Sequence, residues 1–64
     1  MKPADLKRRL ARKGATFQPG KGSHLKVSLG DLRSVLPMHG GDMPIGTFKA
    51  ILKQLGLTER DLED

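Results

Sequence analysis

Ser23-His24-Leu25-Lys26-Val27-Ser28-Leu29-Gly30-Asp31-Leu32-Arg33-Ser34-Val35-Leu36-Pro37 is the stretch that decides the fold. From Ser23 onward Leu25, Val27 and Leu29 point one way, while His24, Lys26 and Ser28 point the other. This is the two-residue period of a half-buried strand. Gly30-Asp31 is a two-residue hairpin signal. Pairing across it sets Leu29 beside Leu32, Val27 beside Ser34 and Leu25 beside Leu36, so the apolar face continues into a further strand. The same register puts Lys26 by Val35 and Ser28 by Arg33 on the opposite face, next to His24. Basic groups thus gather where the core does not need them, and Pro37 ends the strand.

Working outward, Pro3 suits a first helical turn, and Leu6 and Leu10, with Ala4 and Ala11 beside them, form a narrow apolar stripe between basic residues. These residues predict a helix ending near Gly14. Thr16-Phe17-Gln18 is β-prone and predicts a short first strand; Pro19-Gly20-Lys21-Gly22 reads as a turn or a mobile loop. Beyond a loop at Met38 to Asp42, Phe48, Ile51, Leu52 and Leu55 follow i, i+3, i+4, i+7, with Gly56 as the stop, and predict a second amphipathic helix. Thr58-Glu59-Arg60-Asp61 predicts a capped final turn, with Leu57 and Leu62 as a hydrophobic staple and the terminal acids fraying. The order is helix, three antiparallel strands, helix. That is an α+β sandwich with both helices on one sheet face, a single domain over residues 1–64 without repeat or linker.

A chain of 64 residues buries only about 60% of the surface its unfolded form exposes, so a small core must suffice. With no cysteine, disulfides, thiolate metal sites and thiol nucleophiles are excluded. No apolar run approaches the roughly 18 residues of a membrane span, and the first residues lack the apolar stretch of a signal peptide, so the expected location is the cytoplasm. The net charge of +5 is unevenly placed. Residues 1–26 hold eight cations against Asp5 alone, a net +7, whereas the remainder is −2. Such asymmetry suits a polyanion at one end of the molecule, although a solvated helix face and a charged tail would give the same totals.

Lys21-Gly22-Ser23-His24-Leu25-Lys26 sets one imidazole between two lysines where a glycine turn becomes a strand. A neutral imidazole can accept a proton near pH 7, flanking ammonium groups can hold phosphate, and glycine lets a backbone approach a ligand closely. Gly22 and Ser23 can present a backbone amide and a hydroxyl to phosphate, or simply start the strand. Together these properties describe a place to grip and cut RNA.

Gly22-Ser23-His24, then Val35-Leu36-Pro37-Met38-His39, then Asp42-Met43-Pro44-Ile45-Gly46-Thr47-Phe48-Lys49-Ala50-Ile51-Leu52-Lys53-Gln54-Leu55-Gly56-Leu57 together resemble the HicA family of messenger-RNA interferase toxins. The likeness runs over nearly the whole chain. It implies an α-β-β-β-α fold like that of double-stranded-RNA-binding domains, and a toxin that cleaves messenger RNA and stops translation under the control of a HicB-type antitoxin. It also implies that His24 is the catalytic residue. His39 stands where many members carry a histidine after the proline. Leu25 stands where many carry a second histidine, and Gly40-Gly41 replaces a commonly basic pair.

RNA carries its own nucleophile, the 2′-hydroxyl, so cleavage needs a base, stabilisation of the crowded phosphate and a proton for the leaving 5′-oxygen. No metal or other cofactor is needed. An imidazole with an ordinary pKa of about 6.5 suits the base, since nearby cations favour its neutral form. Lys21, Lys26 and Arg33 would seat the RNA with Gly22 and Ser23. For the acid, His39, a lysine or water each qualify, and His39 is otherwise a loop residue or phosphate contact. Two histidines in different segments lack the matching acids of a zinc or magnesium site, and Gly20-Lys21-Gly22 is too short for a phosphate loop. The alternative function is a non-catalytic double-stranded-RNA-binding module using the same basic surface. With only Phe17 and Phe48, both expected in the core, base stacking is not the mode of recognition. A small DNA-binding regulator using its basic first helix fits the strand-rich middle least.

Overall fold

The structure, a computed structural model, describes residues 1–63. The fraying end, so far as it concerns Asp64, lies outside the described residues. Helix α1 (Pro3–Arg12) starts at a proline whose missing N–H costs nothing in a first turn, and Leu6 and Leu10 are wholly buried. Strands β1 (Thr16–Pro19), β2 (His24–Leu29) and β3 (Leu32–Pro37) follow, then α2 (Ile45–Gln54) and a short 3-10 helix, Glu59–Leu62. This α-β-β-β-α order is the α+β arrangement that the alternation and the two apolar stripes predict.

Both helices stop in the same way, and glycine is the reason. At Gly14 (φ 96°) the N–H bonds to the Ala11 carbonyl, while Ala15 N–H reaches back to Leu10. At Gly56 (φ 70°) the N–H bonds to Lys53, and Leu57 N–H reaches back to Leu52. Each is a Schellman motif, in which a left-handed residue lets the last carbonyls find donors, and glycine enters that region without a Cβ penalty.

The sheet is antiparallel in the order β1-β2-β3. The β2–β3 register runs His24 to Pro37, Leu25 to Leu36, Lys26 to Val35, Val27 to Ser34, Ser28 to Arg33 and Leu29 to Leu32, as a two-residue Gly30-Asp31 connection requires. In β1, Thr16, Phe17, Gln18 and Pro19 pair with Ser28, Val27, Lys26 and Leu25. Opposed residues share a face, so Phe17, Leu25, Val27, Leu29, Ser34 and Leu36 lie on one side. On that side Val27 and Leu36 join Leu6, Leu10, Phe48, Ile51, Leu52, Leu55 and Leu62 in one core, which both helices cover.

Three features differ from the expected core. Phe17 is only half-buried, at the edge of the core, with the Lys7 ammonium 5.6 Å from its ring centre. Leu32 is exposed because it sits at the hairpin tip, where the Gly56 end of α2 is what reaches it. Met43, at the end of the loop, is buried, and its N–H bonds to the Met1 carbonyl, tying the loop to the chain start. The final turn carries the predicted capping box: Thr58 Oγ1 accepts from Asp61 N–H while the Asp61 carboxylate accepts from Thr58 N–H at 2.8 Å. Among the described residues, no helix is long and apolar enough to cross a membrane.

Candidate functional site

The two helices cover one face of the sheet and leave the other open. By register that open face carries Thr16 and Gln18 from β1, His24, Lys26 and Ser28 from β2, and Arg33, Val35 and Pro37 from β3. His24 is the first residue of β2 and is exposed. Successive same-face residues on a strand are about 7 Å apart, which spaces His24, Lys26 and Ser28 in a row. Arg33 reaches back to this row, its Nη1 donating to Ser28 Oγ at 3.1 Å.

The turn between β1 and β2 is built around His24. Gly20 N–H donates to the His24 carbonyl at 3.0 Å, and His24 N–H donates to the Lys21 carbonyl at 3.1 Å. Met38 N–H closes the same end of the hairpin on the Ser23 carbonyl at 2.9 Å. Gly20 is there because nothing larger fits: a Cβ at this position would lie 2.8 Å from the His24 carbonyl oxygen. Lys21, Gly22 and Ser23 occupy the turn itself, so they stand next to His24 in chain and in space.

The imidazole is held by the same turn. His24 Nδ1 lies 3.2 Å from the Lys21 carbonyl oxygen. A carbonyl can only accept, so this contact requires the proton on Nδ1 and leaves the lone pair of a neutral ring on Nε2. The arrangement therefore presents an oriented imidazole on an open surface that also carries Lys26, with Lys21 in the adjoining turn.

His39 is placed differently. Its register neighbour Pro37 opposes His24, yet His39 Nδ1 contacts the carbonyl of its own neighbour Gly40 at 3.3 Å. His39 borders a hollow of about 200 Å³ together with Lys2, Pro3 and Ala4 at the start of α1. No hydrogen bond joins the two histidines. A larger groove, about 750 Å³, runs from Gln18 of β1 past Lys26, Arg33 and Val35 to Thr47 and Gln54 of α2, without including His24. A polymer laid across a surface needs no enclosed pocket at the scissile bond, so cleft volume and chemistry need not coincide.

Several cations counted in the amino-terminal excess have other work. Arg9 Nη1 donates to the Leu62 carbonyl at 2.9 Å, linking α1 to the 3-10 helix across 53 residues of sequence. Arg8 lies 3.8 Å from Asp5, and Lys7 sits over Phe17. The basic character of α1 is thus partly structural. On the helix-covered side, Ser34 is buried and donates to Gln54 Oε1 at 2.6 Å. A serine in an otherwise apolar row was the one available sequence signal for that bond. The tightness at Gly20 had none, because Gly22, two residues on, has open space where its Cβ would be. Among the described residues, no three His, Cys, Asp or Glu side chains converge as a metal site would require.

Residues 3–57 match the family model described as the HicA toxin of bacterial toxin-antitoxin. Over 60 residues the chain is 48% identical to a probable mRNA interferase HicA of Pseudomonas fluorescens (strain Pf0-1). That alignment covers 92% of this chain and 100% of the relative. With a family model spanning most of its length and a full-length relative at this identity, the chain belongs to the HicA toxin family of bacterial toxin–antitoxin systems.

Proposed function

We propose that the chain is a messenger-RNA interferase, an endoribonuclease toxin in which His24 is the general base. The observation that carries this reading is the Nδ1 contact to the Lys21 carbonyl, which leaves Nε2 available on an exposed, basic surface. Nε2 removes the proton from a ribose 2′-hydroxyl. The 2′-oxygen then attacks the adjacent phosphorus, the bond to the 5′-oxygen breaks, and the products are a 2′,3′-cyclic phosphate and a 5′-hydroxyl. The new imidazolium keeps its Nδ1–H on the Lys21 carbonyl, so charging the ring requires no change of hydrogen bonds. Lys21, Lys26 and Arg33, with the backbone of Gly22 and the hydroxyl of Ser23, hold the phosphates. Stabilising the crowded phosphate is the part of the chemistry that lysine and arginine supply best.

The leaving 5′-oxygen takes its proton from His39, a lysine or water. No metal ion takes part in this scheme, because the nucleophile belongs to the substrate. The toxin acts in the cytoplasm and is held inactive by a HicB-type antitoxin that covers His24 and the basic face. An acidic surface on that antitoxin would associate quickly with this cationic chain and release it as salt rises.

The test is cleavage of a long single-stranded RNA in excess chelator by the chain and by His24→Ala, each first confirmed as folded. Cleavage lost only in the variant, with cyclic-phosphate ends from the parent, supports the proposal. RNA bound but uncut by both would make the chain a binding module, and equal cutting by both would remove His24 from the chemistry.

A further inference from the structure

The two edges of the sheet are unlike. Met38 N–H bonds to Ser23 O, so the hydrogen-bonded pairs of the β2–β3 ladder are those of the same parity, Leu25 with Leu36, Val27 with Ser34 and Leu29 with Leu32. The backbone N–H and C=O of Arg33 and Val35 therefore point away from β2, and among the described residues no strand lies on that side. On the other edge, Gly20 N–H to His24 O sets the parity, so the outward groups of β1 belong to Phe17 and Pro19. Proline has no N–H, and β1 has only four residues. Short length and proline are how proteins close an edge to further pairing.

β3 has no such protection before Pro37. Val35 is 48% exposed and Leu32 45%. The groove of about 750 Å³ is lined by Lys26, Arg33 and Val35 of the open face and by Thr47, Ala50 and Gln54 of α2, which packs on the opposite face. A groove that touches both the open face and the helix behind the sheet passes around the β3 edge, which is where an added strand would lie.

We propose that the open edge of β3 and the groove beside it take an extended, acidic strand of the antitoxin as a fourth strand of this sheet. The added strand would exchange main-chain hydrogen bonds with Arg33 and Val35, while its alternate side chains meet Lys26 and Arg33 on the open face. Charge selects this occupant over a second copy of the chain. A second copy would bring another Lys26 and Arg33 to the same edge of a molecule of net charge +5, whereas acidic residues neutralise them. A strand seated there lies beside β3 and puts its open-face side chains on Lys26 and Arg33, the same cations that seat RNA phosphates, so docking competes with RNA. This inference rests on the toxin–antitoxin reading above.

Val35→Pro is the variant of choice, because it removes an N–H that faces away from β2 and leaves the existing ladder intact. The antitoxin from the same toxin–antitoxin pair, purified in complex with the chain, is the probe. Amide exchange on the unmodified chain gives a second readout that does not depend on how the variant folds. The expected result is that the Arg33 and Val35 amides exchange freely in the isolated chain and at least about 100-fold more slowly in the complex. Val35→Pro should weaken the complex by about tenfold or more while cutting RNA at the parental rate. Unprotected amides at both positions in the complex, failure to form a complex, or protection arising from self-association of the free chain would each overturn the proposal. The exchange readout needs no RNA, so loss of the ribonuclease reading and loss of the strand-addition site are separately visible.

Discussion

Substituting alanine at Gly20 tests the architecture around His24. The new Cβ would stand 2.8 Å from the His24 carbonyl oxygen and 3.2 Å from its carbon, where ordinary contact begins at 3.4 Å. The shortfall is 0.6 Å, and the obstructing atom is backbone, so no rotamer change relieves it. The turn must back away from β2, which stretches the 3.0 Å bond from Gly20 N–H to His24 O towards about 3.6 Å, beyond useful hydrogen-bond length. Overpacking of this kind costs about 1–3 kcal/mol and a lost hydrogen bond about 1 kcal/mol. Because the clash is relieved by giving up the bond, the two overlap, and about 2 kcal/mol is expected. For a domain of this size that lowers Tm by roughly 8–16 °C. The same movement displaces the Lys21 carbonyl that holds Nδ1, and a displacement of that order can cost about 100-fold in rate. Cleavage by fully folded Gly20→Ala, measured well below its Tm, should therefore fall by at least about tenfold. Gly46→Ala is the control: it lies in α2, has nothing within 4 Å of the added Cβ, and should raise stability by about 0.5 kcal/mol through helix propensity. A Gly20→Ala protein with parental Tm and parental cleavage would refute the reasoning.

Other perturbations have equally definite outcomes. Leu36 is wholly buried near the end of β3, so Leu36→Ala should cost about 2–5 kcal/mol, enough to leave a chain this small largely unfolded at 37 °C by circular dichroism. The Thr58 backbone N–H, and then its hydroxyl, hold the Asp61 carboxyl below its ordinary value of 3.8. A carboxyl depressed in the folded state stabilises the fold above its ordinary value and ceases to do so as pH falls through the folded value, so the contribution disappears only in acid below about pH 4. Thr58→Ala should move the Asp61 titration, followed by carboxyl NMR, part of the way back up, since the backbone donor remains; an unmoved titration would show that the hydroxyl has no part in it.

Local signals carried much of this protein. The alternation from His24 to Leu29, the two-residue Gly30-Asp31 turn and the alternation after it fix a register without reference to anything distant, because a one-residue slip would turn every apolar side chain outward. The leucine stripes, the glycines that end both helices and the Thr58–Asp61 box are likewise matters of spacing within a few residues. The place of His24 on the polar side of the strand was legible for the same reason, since it follows from period two, whereas its role as base is what the family resemblance implies. Long-range placement was not legible in this way. That Gly20, and not Gly22, meets the His24 carbonyl depends on how two strands cross. That Arg9 serves Leu62, that His39 turns to the start of α1, and that β1 is closed by Pro19 while β3 lies open beside α2 depend on segments brought together only when the core forms. Periodicity specifies which face a side chain takes, but which groups meet across that face is set by packing of elements far apart in sequence, and this packing decides how His24 is held and where a partner can dock.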